Sequence, residues 1–339
     1  MDISEFVAAL PKVELHLHLV GSASVDAVLT LARRHPDGGV PTDPEELRRF
    51  YEFRDFPHFL RVHNQVNLLV RTGADVVTLL DGLGSDLAAR AVRYAEVQVT
   101  PTRNRIAGIG FDELAEALAH GRDLVRRRHG VVLNWIFDAD ATLGTDGAAE
   151  TVDFAIKYRP EGTIGLGLGG PEAGIRRADY APAFDRARTA GLHSLPHAGE
   201  TVGPDEVWSA VRNLRAERIG HGIGAASDPG LLDHLAEHGI ALEVCPTSNV
   251  CTGAVPSLAE HPLPSLLQAG VPVTLATDDP GMFGADMNSE YLLCHTEFGL
   301  NHHELAELAR AGVRAAFCSE ELRRDLLSEI DEVEKQATP

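Results

Sequence analysis

His16 and His18 stand two apart in the run Lys12-Val-Glu-Leu-His-Leu-His-Leu-Val20, where apolar and polar residues alternate. Such alternation reads as a strand, in which every second side chain leaves the same face, about 7 Å further along. Two imidazoles on one face can meet one metal ion. Later in the chain come Gly169-Gly-Pro-Glu172, His197-Ala-Gly-Glu200, Gly220-His-Gly222, Thr247-Ser-Asn249 and Thr277-Asp-Asp-Pro280. His16, His18, His197 and Asp278 together offer three nitrogens and one carboxylate, a set that suits zinc or another borderline divalent metal, one ion per chain, and leaves a position for water. Asp279 points the other way from Asp278 along an extended segment and is expected to accept a hydrogen bond from that water. Before Pro280 it also reads as a turn residue.

The elements that must position these residues follow from periodicity. Short apolar or β-branched runs at 12–18, 94–100, 131–137, 163–168, 192–197, 217–220, 240–245 and 272–277 give eight candidate strands. Amphipathic stretches at 111–128, 180–190, 204–216, 230–238 and 257–269 lie between them. Alternating strand and helix predicts parallel strands joined by crossover helices, and eight such units in one chain predict an α/β fold of the (β/α)₈ TIM-barrel type. In such a barrel the active site gathers at the C-terminal strand ends, and that is where the polar motifs fall. Buried polar groups at those positions are costly unless they serve a metal or a ligand.

Between the first two strands lies an insertion of roughly 75 residues, far beyond an ordinary loop. It holds the turn-rich His35–Pro44 and the aromatic run Phe50 to Phe59, and is expected to form a helical lid over the barrel mouth. Helices are predicted at 286–298, 302–317 and 319–335, with a frayed end at Ala337–Pro339. No linker or repeat divides the chain, so 1–339 reads as one domain.

Composition bounds the partners. The 339 residues include 50 acidic and 30 basic side chains, a formal charge of −20, which repels phosphate backbones and anionic lipid. Nucleic acid and membrane are therefore not the expected partners, and no stretch approaches the roughly 20 apolar residues of a membrane span. The N-terminal residues show no basic segment followed by a long apolar one, so a cytoplasmic location is expected. Cys245, Cys251, Cys294 and Cys318 form no Cys-x-x-Cys pair and read as reduced, buried bystanders. Oligomeric state is not legible.

His16-Leu-His18, His197-Ala-Gly-Glu200, Gly220-His221-Gly222, Cys245-Pro-Thr-Ser-Asn249 and Thr277-Asp-Asp-Pro280 together resemble the ordered signature of the adenosine deaminase family. The resemblance covers nearly the whole chain. It implies a zinc-dependent (β/α)₈ hydrolase that converts the 6-amino group of a purine nucleoside to a 6-oxo group. A metal lowers the pKa of a bound water from about 15.7 toward about 7, so an attacking oxygen is available at neutral pH. By resemblance Glu200 is the acid that protonates purine N1, His221 orients the attacking oxygen and helps move its proton with Asp279 as its partner in that role, and the Gly170 amide faces purine N3. The Gly167-Leu-Gly-Gly170 run is expected to let the backbone approach the ring closely.

The family usually places an Asp, which binds the ribose 5′-hydroxyl, where this chain has Val20. A buried hydroxyl without its acceptor costs about 1–3 kcal/mol, so Val20 implies a substrate with carbon at the 5′ position. In this the chain is similar to the branch acting on aminodeoxyfutalosine, a menaquinone precursor with a benzoate-type tail. Phe50, Phe53, Phe56 and Phe59 could line a pocket for that tail, and Arg61, Arg71 or Arg103 could bind its carboxylate. The alternatives are an ordinary adenosine deaminase that makes inosine, and a non-catalytic nucleoside-binding relative. The intact ligand set and Glu200 argue against the latter.

Overall fold

The computed structural model describes residues 1–337, so Thr338 and Pro339 of the expected frayed end lie outside the described residues. Ala337 itself closes a regular helix, Glu320–Ala337. The strands are β1 (Lys12–His18), β2 (Val92–Val99), β3 (Val132–Asp140), β4 (Thr163–Gly169), β5 (His193–Ser194), β6 (His197–Ala198), β7 (Arg218–His221), β8 (Ala241–Val244) and β9 (Val273–Leu275). Every pairing is parallel, in two sheets of order β1-β2-β3-β4-β5 and β6-β7-β8-β9.

The expected strand at 192–197 is split into β5 and β6. Pro196 has no amide hydrogen to give, so the ladder breaks there. Both edges of the two sheets are nevertheless tied. Glu217 and Gly220 donate backbone hydrogen bonds to Ser194 (2.9 Å) and Pro196 (3.0 Å), and at the other edge His18 donates to Asp278 and Asp278 to His16, each at 3.0 Å.

β1 shows how alternation builds the interior. Lys12, Glu14, His16 and His18 share one face, while Val13 on the other meets helix His302–Ala315, where Gly312 leaves room for it. The first face is polar yet largely buried, and its inner two groups are paired: the Lys12 ammonium donates to Val7 O (2.5 Å) and Leu10 O (2.7 Å), and Glu14 accepts from Thr277 Oγ1 (2.8 Å).

The segment between β1 and β2 is helical, as expected. It contains Val25–Arg34, Pro44–Phe50, Phe56–Asn67 and Gly73–Ala89. Each begins at a side-chain cap: Ser24, Asp43, Asp55 and Thr72 accept a backbone hydrogen bond from the first turn. Short helices that periodicity did not reveal follow within five residues of a strand end, at Pro101–Ala107, Pro246–Cys251 and Pro280–Phe283. All three start on proline, whose fixed φ suits a first helical turn and whose missing N–H costs nothing there. No helix among the described residues is long and apolar enough to cross a membrane, and the four cysteines are free.

Candidate active site

One pocket draws on the C-terminal ends of most strands. His18, Leu19 and Val20 come from β1, Gln98 and Val99 from β2, Asp138 and Asp140 from β3, Gly169 and Gly170 from β4. His197 opens β6 and Glu200 follows it, His221 ends β7, and Asp278 and Asp279 follow β9. The pocket has an empty volume of about 960 Å³, its open mouth included.

The sequence-expected ligands converge. His18 Nε2 lies 3.2 Å from His197 Nε2 and 3.3 Å from Asp278 Oδ1, which is 3.5 Å from His16 Nε2. His16, His18 and Asp278 form one group whose donor atoms could hold a metal ion, and His16, His197 and His221 form another. Burial pushes His18 down to about 3 and His221 to about 4, so both rings are neutral at neutral pH, as a ligand or an acceptor must be. Burial also opposes charge on His16, but Asp278 and Glu243 beside it hold it well above its ordinary value. Carboxylates that draw a proton to this ring draw a metal cation by the same field.

A buried ionic chain fixes His16. Its Nδ1 lies 2.6 Å from Glu243 Oε2; Glu243 is gripped by Arg218, which also holds Glu96. Asp278 is anchored by Ser248, whose hydroxyl donates to Oδ2 at 2.6 Å. Asp278 and His221 adopt left-handed backbone, φ 66° and 57°. Neither is glycine, and such strain persists where surrounding contacts over-determine it, commonly at functional sites.

Glu200 is buried, its Oε1 accepting from Thr252 Oγ1 (3.3 Å) and its Oε2 3.7 Å from His221 Nε2. Burial first, then the charges of Asp278 and Glu172, push its pKa well above the ordinary carboxylate value. It therefore holds a proton where a solvated glutamate would not. Glu172, from another strand-end motif, is not at the reacting surface. It accepts from Gly199 N (2.8 Å), Thr201 N (2.6 Å) and Arg177 (3.0 Å), so it braces the loop that carries Glu200.

Asp279 lies 3.7 Å from His63 Nε2, against Gly21, where any Cβ would overlap its carboxylate. Among the described residues no hydrogen bond joins it to His221, whose Nδ1 faces Asn249 instead (3.2 Å). The glycine run is also used differently from expectation. Gly167 and Gly169 lie within β4, where a Cβ would overlap the Asp138 carboxylate, so their missing side chains make room for Asp138. Gly170, at φ 91°, does line the pocket.

Residues missed in the sequence complete the walls. Asp138 Oδ2 is 3.8 Å from His18 Nδ1, and burial holds Asp138 well above its ordinary pKa. His63 and Asn67 enter from helix Phe56–Asn67. Of the four phenylalanines, Phe56 and Phe59 line the pocket, while Phe53 meets Phe59 edge to face with centroids 5.3 Å apart and Phe50 lies beside Tyr51. Of the three arginines, Arg103 lines the pocket, its Nε bound by Asp140 and its Nη2 by Thr142 Oγ1 (2.6 Å). Arg61 is exposed, and Arg71 pairs with Asp37 (2.8 Å) away from the pocket.

Residues 11–333 match the family model for adenosine deaminase. The chain belongs to the adenosine deaminase family. An aminodeoxyfutalosine deaminase of Streptomyces coelicolor is 48% identical over 332 residues, 97% of this chain and 86% of that protein. Among solved structures, an adenine deaminase from Arthrobacter aurescens superposes with a TM-score of 0.92 at 30% identity, over 96% of this chain and 99% of that one. An amidohydrolase from Burkhoderia ambifaria with bound Zn gives 0.89 at 27% identity, over 99% and 95% of the two chains.

Proposed function

We propose that this chain is a zinc-dependent hydrolytic deaminase of a 5′-modified adenine nucleoside, converting aminodeoxyfutalosine to futalosine with release of ammonia. In this reading residues 1–339 are one domain, and β5 and β6 are two halves of one strand in an eight-stranded (β/α)₈ barrel. The hydrogen bonds at both sheet edges support the closure. The helices between β1 and β2 serve as its lid.

The donor set fits zinc. Atoms that bind one ion at about 2.0–2.2 Å can lie no more than about 4.4 Å apart, and His16, His18, His197 and Asp278, which would hold it, offer atoms separated by 3.2, 3.3 and 3.5 Å. His16 Nε2, moreover, is buried with no hydrogen-bond partner among the described residues. When bound, zinc lowers the pKa of a coordinated water toward about 7 and so makes an oxygen nucleophile available at neutral pH.

The protein's own groups do the rest. Glu200, held protonated by burial, gives its proton to purine N1 as oxygen adds at C6, so the adduct does not carry its charge unneutralised in a dry pocket. His221 orients the attacking oxygen. Asp279 has an unpartnered Oδ1 with which to accept a hydrogen bond from it. The Gly170 amide binds N3. The C6–O bond forms; the hydrogen left on the attacking oxygen passes by way of Asp279 to the departing nitrogen, the C6–N bond breaks and ammonia leaves, and the proton released as the next water ionises returns to Glu200.

One observation carries the choice of substrate. Val20, Phe56, Phe59 and Leu60 give the reacting cluster's pocket an apolar stretch, and Arg103 is the only Lys or Arg among its described lining residues. A nucleoside with an apolar 5′ link and a terminal carboxylate matches that sequence of surfaces. The test is a deamination assay of the zinc-loaded protein with aminodeoxyfutalosine, methylthioadenosine, adenosine and adenine. Aminodeoxyfutalosine should lead adenosine in kcat/KM by at least about tenfold, equivalent to about 1.4 kcal/mol. A preference for adenosine or adenine would overturn the reading.

A further inference from the structure

Two buried residues have no part in that mechanism: Asn249, which closes the Cys245-Pro-Thr-Ser-Asn249 motif, and His261. They form a line that ends on His221. The Leu263 backbone N–H donates to His261 Nδ1 (3.1 Å), His261 Nε2 lies 3.1 Å from Asn249 Oδ1, and Asn249 Nδ2 lies 3.2 Å from His221 Nδ1.

Hydrogen positions along this line follow from its first member. A backbone N–H can only donate, so His261 Nδ1 is a bare acceptor. Burial holds the His261 pKa down at about 4, so at neutral pH the ring is neutral and its one hydrogen is on Nε2. That hydrogen requires an oxygen opposite, which fixes the Asn249 amide with Oδ1 toward His261 and its NH₂ toward His221. The NH₂ then donates to His221 Nδ1. A hydrogen on that Nδ1 would set two donors face to face. The ring's hydrogen is therefore on Nε2, the nitrogen that lies 3.7 Å from Glu200 and 3.9 Å from Asp278.

We propose that Asn249 and His261 are positioning residues that lock His221 in its Nε2–H tautomer, so that His221 meets the attacking oxygen as a hydrogen-bond donor and not as a base. A donor at that point turns a lone pair of the oxygen toward C6, which accounts for orientation without proton removal. The inference rests on the deaminase reading only in supplying the oxygen that His221 faces; the tautomer itself does not depend on which purine is turned over.

The test uses the full-length, zinc-loaded protein labelled with ¹⁵N-histidine. A two-bond ¹H–¹⁵N correlation spectrum distinguishes the two neutral tautomers, with the His221 signals assigned by their loss in His221→Gln. The expected result is the Nε2–H pattern. Asn249→Asp replaces the NH₂ donor by an acceptor, and should shift His221 to Nδ1–H and lower kcat by about 10²-fold or more, with KM within about threefold. His261→Gln keeps a donor near Nε2 and should retain about tenfold more kcat than His261→Met. A wild-type His221 with its hydrogen on Nδ1 would overturn the proposal, as would Asn249→Asp with unchanged spectrum and kcat. Should Asn249→Asp fail to fold, the wild-type spectrum still decides. A protein with the expected spectrum that deaminates none of the four purines would refute the functional reading and leave the tautomer standing.

Discussion

The pocket wall that carries His16, His18, His197 and His221 is built from strand ends, whereas the wall that carries Phe56, Phe59 and Arg103 is built from helices. On the first, His16 is clasped by Glu243 and Asp278 by Ser248, and every group is buried or nearly so. On the second, Phe56 and Phe59 project from one helix and Arg103 from another, its side chain 24% exposed and held by Asp140 and Thr142. The difference separates two tasks. Strand ends tied by backbone hydrogen bonds hold reacting groups to the tolerance chemistry needs, while helices inserted between strands can change length and sequence without disturbing them. Damage to the first wall should therefore stop the reaction for every substrate. Damage to the second should change which substrate is preferred.

The largest expected effect is on the first wall. Chelation should abolish turnover of every purine, with activity restored by zinc, and elemental analysis of the active protein should give about one equivalent per chain. Glu200→Gln comes next. It removes the proposed N1 proton donor while leaving fold and metal content intact, and should lower kcat by at least about 10²-fold for aminodeoxyfutalosine and adenosine alike. A loss confined to one of the two would break the separation of tasks.

Val20→Asp lies on the border between the walls. It restores an acceptor for a 5′-hydroxyl and puts a charge against the apolar link, so the preference of about tenfold for aminodeoxyfutalosine over adenosine should shrink to about threefold or less. Measured kcat/KM ratios for the two substrates check it. The smallest effect is expected at Arg71, whose pair with Asp37 is partly exposed. Arg71→Gln should leave kcat/KM within about twofold for every substrate.

The same division explains what could be read from the sequence. β1 occupies Lys12–His18 as its alternation implied, and a strand's period of two puts His16 and His18 on one face without long-range information; the other motifs reach them because the strands run parallel, with their C-terminal ends together. Asp138 and Asp140 escaped the same rule because the apolar run suggested an end at 137, whereas β3 continues to Asp140. Nothing in the alternation of their strands marks Glu243 and Arg218; only pairing across β7 and β8 shows Arg218 gripping Glu243, and Glu243 in turn holding His16. On the helical wall no such rule exists. Four phenylalanines and three arginines were equal candidates, and tertiary packing selected Phe56, Phe59 and Arg103. The split of the fifth strand was visible in Pro196, which cannot donate to a ladder.

The separation of chemistry from substrate choice is tested most directly at Arg103, by measuring kcat/KM for aminodeoxyfutalosine and for methylthioadenosine in the wild type and in Arg103→Gln. The two substrates share the purine, and only one carries a carboxylate. The account predicts that Arg103→Gln lowers kcat/KM for aminodeoxyfutalosine by about tenfold, mainly through KM, and leaves methylthioadenosine within about twofold. Equal losses for both substrates, or no loss for either, would contradict it.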